Sequence, residues 1–392
     1  MKVLVSDKLA KEGLDILEAA EGIEVVNKPG LSVDELKKEI AAVDGIVIRS
    51  GTKLTADVLA EAKQLKAVAR AGAGVDNVDL EAASKAGIIV MNTPGKNSIS
   101  AAEHAIAMMF ALARNIPAAD ASMKHQKWDK KKYTGTELTG KTLGLIGLGR
   151  IGSEVARRAV GLRMNVVGLD PFLEVELARS LGIRMTDSLD ELLTTCDYIS
   201  VHAAMTDKTR GMIGKEQFAK TRDGIGIVNC ARGGIVDEEA LIEALDSGKV
   251  AGAAIDVWTS EPCTDWRLAE HPKVVATPHL GASTEEAQLG VAVAAAQQMV
   301  DVLVSGNVRF AVNFPAIDPE EMTVLEPYMT LGRRLGAIAG QLCEGAVREV
   351  TVTYSGEIAS LKTEPVNVAV AVGLLSAVLD DVNMVNARPL LA

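Results

Sequence analysis

Three short segments carry side chains that could do chemistry together. Residues 228–234 (VNCARGG) offer a guanidinium at Arg232, 256–262 (DVWTSEP) a carboxylate at Glu261, and 276–284 (ATPHLGAST) an imidazole at His279. An imidazole exchanges a proton near neutral pH. A carboxylate beside it orients the ring and favours its charged form. An arginine fork clamps a carboxylate and polarises a carbonyl. Those are the three functions needed to convert a 2-hydroxy acid to a 2-keto acid or back, given a hydride acceptor. The chain has five histidines. His104 falls within an apolar helical stretch and reads as structural, and His125 and His271 fall in polar loops. His202 ends a strand and flanks the cofactor stretch, which leaves His279 as the acid–base candidate.

The hydride acceptor has its own signal. Residues 147–152 read GLGRIG, a G-x-G-x-x-G match at Gly147, Gly149 and Gly152, with Arg150 and Ile151 between. A lone match is weak, but here an apolar strand at 143–146 precedes it and a helix at 153–160 follows. The first glycine permits the turn, the second lets backbone approach a pyrophosphate, and the third lets helix and strand pack closely. The next strand ends at Asp170, 18 positions beyond Gly152. A carboxylate there binds an adenosine ribose and repels a 2′-phosphate, so NAD is favoured over NADP. Asp256 is placed for the nicotinamide end.

Positioning these residues takes a parallel α/β framework. Strands are expected at 3–6, 23–26, 45–49, 65–69 and 88–91, with helices between, one of them (32–42) opened by Ser32 and Glu35 as a capping box. A second strand–helix rhythm starts at 141, with strands at 142–146, 165–169, 198–202, 225–229, 252–256 and 274–276. All three chemical segments then fall at carboxyl ends of strands, where open α/β sheets collect ligands. A long apolar helix, 98–115, is expected to be buried between domains or subunits. Another, 284–304, returns the chain to the first domain. The last part is expected to hold helices at 330–343 and 367–379 and an antiparallel edge strand at 347–354. The fold class is therefore α/β: two Rossmann-like doubly wound domains with a partial α+β C-terminal domain. The expected division is 1–97 with 284–305 for substrate, 98–283 for NAD, and 306–392 as the partial third part.

With 392 residues, 48% hydrophobic and 24% charged, the composition is globular. A net charge of −11 argues against a nucleic-acid or anionic-membrane binder. The apolar run 291–296 is interrupted by Gln297, Gln298 and Asp301, so no clean membrane span is expected. The start, MKVLVSDKLA, reads as a first strand rather than a signal peptide. Four cysteines without a C-x-x-C pair suggest neither a disulfide framework nor a metal site, and a cytoplasmic setting is expected.

The set of motifs resembles the D-isomer-specific 2-hydroxyacid dehydrogenase family. Residues 70–77 (RAGAGVDN), 228–237 (VNCARGGIVD) and 278–284 (PHLGAST) carry the resemblance, which is strong over about residues 1–310. It is closest to the long-type, phosphoglycerate-oxidising members. It implies NAD-dependent oxidation of 3-phosphoglycerate to 3-phosphohydroxypyruvate, feeding serine synthesis. Arg232 would bind the substrate carboxylate and carbonyl, with His279 as proton donor or acceptor and Glu261 as its partner. Gly147, Gly149, Arg150, Ile151, Gly152, Asp170, Cys230, Ala231, Asp256 and Gly281 would bind NAD. Arg49 and Arg70, at strand ends facing the expected cleft, would hold the phosphate with the loop Gly72, Ala73 and Gly74. Lys130–Lys132 reads as a solvated charge run that a neighbouring subunit could use. A homodimer or homotetramer is expected.

Two departures stand out. The loop after His202 is Ala203-Ala204, where the family often has Thr or Leu and then Pro, which removes one NAD contact. The chain also ends before any regulatory ACT domain, so serine feedback through that domain is not expected. Two enzymatic alternatives are a glyoxylate or hydroxypyruvate reductase and formate oxidation, the latter leaving Arg49 and Arg70 without a task. The non-enzymatic alternative is an NADH-sensing protein, which would not need the Arg232, Glu261 and His279 set.

Overall fold

The computed structural model describes residues 1–314, 319–343, 345, 347–379 and 381–391. The chain divides into two compact units: Met1–Lys96 with Gln288–Ala392, and Asn97–Ala287. The part expected as a third, 306–392, falls in the first unit by this division.

The first unit holds five parallel strands: β1 (Lys2–Val5), β2 (Glu24–Asn27), β3 (Gly45–Ile48), β4 (Ala67–Arg70) and β5 (Ile89–Asn92). Their order is β2-β1-β3-β4-β5. The central β3, Gly-Ile-Val-Ile, is buried at every position. That unbroken apolar run is what a parallel strand needs when helices cover both faces. Ser32 and Glu35 form the expected capping box on the helix Val33–Ile40. The apolar helix Glu285–Val300 places Val291, Ala295, Ala296 and Met299 against β1, β3 and β4 in this unit's core.

The second unit holds seven parallel strands: β6 (Thr142–Ile146), β7 (Asn165–Leu169), β8 (Ile183–Met185), β9 (Tyr198–Val201), β10 (Ile225–Asn229), β11 (Val250–Ile255) and β12 (Val274–Ala276). The order is β12-β11-β10-β9-β6-β7-β8. The chain reverses its direction of travel at β6, which has β9 on one side and β7 on the other. The crevice beside such a switch point is where doubly wound sheets bind ligands. Edge strand β8 escapes the sequence pattern because three residues are too few for a period to show.

Three expectations are corrected here. The helix expected at 98–115 stops at Ala113, and a second one, Ile116–Lys124, starts beyond Asn115, which takes a φ of 53°. Pro117 sits in the first turn of that second helix, where its missing N–H costs nothing. The strand expected at 347–354 has no ladder partner among the described residues. Alternation alone gives an extended segment, and a strand needs a neighbour. The helix expected from 330 starts earlier, Pro319–Leu342, and runs through Pro327. It packs tightly on the helix Glu364–Leu375. A side-chain carbon at Gly336 would meet the Val370 carbonyl oxygen at 2.1 Å, and one at Gly373 the Arg333 carbonyl oxygen at 1.9 Å. A proline inside a helix costs about 3 kcal/mol, which tertiary packing of the helix has to outweigh.

Candidate active site

In the second unit, β6, β7, β9, β10, β11 and β12 all deliver chemistry-bearing residues just past their carboxyl ends. After β6, Gly147 takes a φ of 88°, and an added side-chain carbon would meet the Ala203 amide and His202 carbonyl carbon at 2.8 Å. A side-chain carbon on Gly152 would strike the Gly147 carbonyl oxygen at 2.1 Å. Gly149 differs: its added carbon would meet no protein atom within 4 Å. Its smallness therefore serves space outside the protein, as a loop that receives a pyrophosphate requires. The helix Arg150–Gly161 begins there without a side-chain cap, which leaves the N–H groups of Arg150, Ile151 and Gly152 for an anion.

Asp170, half-buried past β7, accepts from the Leu148 amide at 2.6 Å and the Phe172 amide at 2.8 Å. Its carboxylate braces the glycine loop and keeps lone pairs for a ribose. Phe172 beside it is 92% exposed, an aromatic that sequence reading passed over. These features fit NAD. When bound, NAD supplies the acceptor for the substrate's hydride.

Past β9, the His202 Nε2 lies 2.9 Å from the Ser200 hydroxyl. Burial pushes this imidazole down from 6.5 to about 4. The unfolded chain therefore takes up a proton between those values that the folded chain refuses. This contribution is neutral above pH 6.5 and destabilises progressively as pH falls towards 4. The loss is at most about 3 kcal/mol, reduced by the ring's residual exposure. In urea denaturation at stepped pH, His202→Gln is expected to flatten this acid slope. An unchanged slope would show that the slope arises elsewhere.

Past β10, Asn229 is an organiser that the sequence did not flag. It donates to the Arg232 carbonyl at 2.9 Å and accepts from the Ala231 amide at 3.1 Å, so it fixes the turn that presents Arg232. The Arg232 guanidinium donates to the Ala231 carbonyl at 2.6 Å. Gly233 is forced, since a side-chain carbon would lie 2.0 Å from the Trp258 carbonyl oxygen. Cys230 and Ala231 are buried.

Past β12, the His279 Nδ1 lies 2.7 Å from Glu261 Oε2. Burial alone would raise the Glu261 pKa, but the hydrogen bond and charge of His279 outweigh it and hold the carboxyl below its ordinary value. The Trp258 amide donates to the other Glu261 oxygen at 3.1 Å, so the carboxylate is fixed from two sides. His279 has a φ of 55°, an uncommon conformation for a residue with a side chain.

Asp256, expected at the nicotinamide end, is completely covered and spends both carboxylate oxygens on this loop. Oδ1 accepts from the Thr277 hydroxyl at 2.6 Å and the Leu280 amide at 2.7 Å. Oδ2 accepts from the Gly281 amide at 2.9 Å. The Asp256 carbonyl takes the His279 amide at 2.8 Å. Gly281 thus gives its N–H to Asp256. His104 Nε2, Cys230 Sγ and an Asp256 oxygen lie within 4.8 Å of one another. They make a poor metal site, because burial drives the thiol strongly towards its protonated form and the carboxylate is already engaged.

In the first unit, Arg49 and Arg70 stand at the carboxyl ends of β3 and β4. Asn77 ties them together: its side-chain amide donates to the Arg49 and Thr52 carbonyls, each at 2.6 Å, and its oxygen accepts from Arg70 Nε at 3.1 Å. The Asp7 carboxylate adds the Arg49 amide at 2.6 Å. Gly72 leaves room for the Arg70 guanidinium, which lies 2.0 Å from where a side-chain carbon would be. Asn92 holds the Ala73 carbonyl at 2.5 Å, next to Gly74. The bracing roles of Asn77, which closes the 70–77 motif, and of Asp7 carried no signal, because such a role is defined by groups far away in sequence.

Residues 106–281 match the family model for the NAD binding domain of D-isomer specific 2-hydroxyacid dehydrogenases, and 324–392 match the D-3-phosphoglycerate dehydrogenase intervening domain. D-3-phosphoglycerate dehydrogenase from Archaeoglobus fulgidus is 48% identical over 99% of this chain and 74% of its own length. The Bacillus subtilis enzyme of that name is 44% identical over 98% of this chain and 73% of its own length. The chain belongs to the D-3-phosphoglycerate dehydrogenase family of D-isomer specific 2-hydroxyacid dehydrogenases. Among solved structures, NAD+-bound 3-phosphoglycerate dehydrogenase of Entamoeba histolytica is 34% identical, with a TM-score of 0.68 over 80% of this chain and 98% of that one. A glyoxylate reductase from Paecilomyes thermophila is 30% identical, with a TM-score of 0.73 over 82% of this chain and 99% of that one. Family membership makes the protein an NAD-dependent dehydrogenase.

Proposed function

We propose that the protein oxidises 3-phospho-D-glycerate to 3-phosphohydroxypyruvate, the first step of serine synthesis, using NAD. The observation that carries the chemistry is the His279–Glu261 pair at 2.7 Å in the same unit as Arg232 and the glycine loop. Arg232 binds the substrate carboxylate and polarises the carbonyl. His279 removes the hydroxyl proton as the hydride leaves the carbinol carbon, and Glu261 stabilises the imidazolium that results. The helix start at Gly149–Gly152 takes the pyrophosphate, and Asp170 takes the adenosine ribose. Gly147 shapes the turn, while Cys230, Ala231, Asp256 and Gly281 form the wall behind the nicotinamide end.

The test follows NADH absorbance with 3-phosphoglycerate and NAD while the keto product is trapped. NADH formation with this substrate, and little with glycolate, supports the reading. NADH binding without turnover of 3-phosphoglycerate or glyoxylate overturns it in favour of a sensor.

Arg49 and Arg70 take the substrate phosphate, with Gly72, Ala73 and Gly74 lining the loop. Arg70→Ala and Arg49→Ala are each expected to raise KM for 3-phosphoglycerate by about 10- to 100-fold, the range of a lost charge-assisted pair. KM for a substrate without phosphate should move far less. Equal loss on both substrates would assign the arginines to the fold instead.

Asp170 sets the cofactor. Asp170→Asn keeps an acceptor for the Leu148 amide but removes the charge. It is expected to raise kcat/KM with NADP relative to NAD by about 10- to 100-fold. An unchanged ratio would place the discrimination elsewhere.

Exposed Ile99, Ile116, Met123 and Trp128 make a homodimer through the 98–128 region the proposed assembly, checked by light scattering. Four free cysteines suit a reducing cytoplasm.

A further inference from the structure

His104 has no assigned task in this chemistry, yet the structure connects it through the Asp256 carboxylate to the loop that carries His279. We infer that His104 is a positioning residue for the acid–base loop, acting through Asp256. This inference rests on the proposed role of His279.

The helix Ser98–Ala113 carries His104 into the space behind the loop 277–281, and its Nε2 lies 3.2 Å from both Asp256 Oδ1 and the Thr277 hydroxyl. The Thr277 hydrogen is already given to Asp256 Oδ1 at 2.6 Å. Both atoms facing Nε2 are therefore acceptors, so Nε2 carries a hydrogen and His104 is the donor. Oδ1 then gathers the Thr277 hydroxyl, the Leu280 amide and His104 around one fully covered oxygen. His104 is the only member of that group from outside the loop and its strand. Four residues further along the same helix, the Met108 sulfur contacts the Thr277 hydroxyl at 3.7 Å. The helix thus meets the loop at two adjacent turns.

A carboxylate without this donor keeps three partners, all from the loop itself, and loses the one that anchors it to the helix in a dry site. It would recruit water or turn its oxygens, and either change disturbs the amides of Leu280 and Gly281. His279 lies directly before them and holds an uncommon backbone conformation that the same residue, Asp256, secures through its carbonyl. Misplacement of the imidazole slows proton transfer with little effect on the glycine loop that binds the cofactor.

The test compares His104→Ala, His104→Gln and His104→Asn in the full chain. A glutamine amide nitrogen reaches the place of Nε2, while an asparagine amide stops short of it. NADH fluorescence titration counts folded sites, and kcat with 3-phosphoglycerate is expressed per site. Alanine is expected to lower kcat per site about 10- to 100-fold, with KM and the NADH Kd within about threefold of wild type. Glutamine is expected to restore most of kcat, and asparagine little. The inference is overturned if alanine keeps kcat within about threefold of wild type, or if glutamine and alanine are equally impaired. Should alanine bind no NADH, glutamine against asparagine decides: equal kcat overturns the inference, and a clear advantage for glutamine supports it. Failure of the functional reading looks different, because wild type itself would then not turn over 3-phosphoglycerate.

Discussion

Replacing His279 by alanine is expected to lower kcat for 3-phosphoglycerate oxidation by about 100- to 10,000-fold, the range for a positioned general base. NADH binding should hardly change, because the glycine loop and Asp170 lie on other strands. The exposure of His279 and Glu261 argues against a large stability effect, since a pair open to water contributes little to folding. The melting temperature should stay near that of wild type, which separates lost chemistry from lost fold. Glu261→Gln keeps the size and one acceptor but removes the charge, so a smaller loss is expected. The direction of its pKa shift gives the acid behaviour. The Glu261 carboxyl is held below its ordinary value, so the pair stays ionised on the glutamate side until pH has fallen past the usual carboxylate range. Its stabilising share is present above the unfolded value and is lost as pH drops through the folded one. Full activity in His279→Ala would sink the acid–base assignment.

The second large effect is expected at Arg232. Its guanidinium is presented by a turn that Asn229 brackets and Gly233 allows to press on the Trp258 carbonyl. Arg232→Ala removes both the clamp on the carboxylate and the donor to the developing carbonyl. A loss in kcat/KM of about 100- to 1,000-fold follows from magnitudes for such donors. Arg232→Lys keeps the charge without the planar fork, and recovery should be partial at best. Steady-state kinetics across a wide range of substrate concentration would divide the loss between KM and kcat. A KM change alone would make Arg232 a binding residue with no part in the reaction step.

Much of this arrangement was legible in the residues. The bounds of β6, β7 and β10 could be read directly, because parallel strands of this kind are short apolar runs closed by Gly, Asp or Asn, and those of β12 because a proline follows it. The glycine motif was legible because each glycine answers a steric demand, and the structure shows a different demand at each. His279 and Glu261 could be paired because the chemistry needs both. Apart from Phe172, the residues whose role went unread act mostly through the backbone. Asn77, Asn229 and Asp7 bind amides and carbonyls that fold in from elsewhere, and no local pattern announces them. Asp256 was noticed as chemistry, and the structure shows its carboxylate shared between the loop of His279 and His104. The segment 347–354 went the other way, because alternation cannot report whether a partner strand exists.

The roles proposed above for the two sets of residues have a consequence for how such a protein could change its diet. Arg232, Glu261, His279 and the glycine loop all belong to 97–287, whereas Arg49, Arg70 and Asn77 belong to the other unit. The reacting apparatus can therefore be inherited whole while the loops at 49–52 and 70–77 drift. A lineage would acquire a new acid as food by editing a dozen residues that never handle the proton. Transplanting those two loops between relatives should move substrate preference and leave cofactor preference where it was.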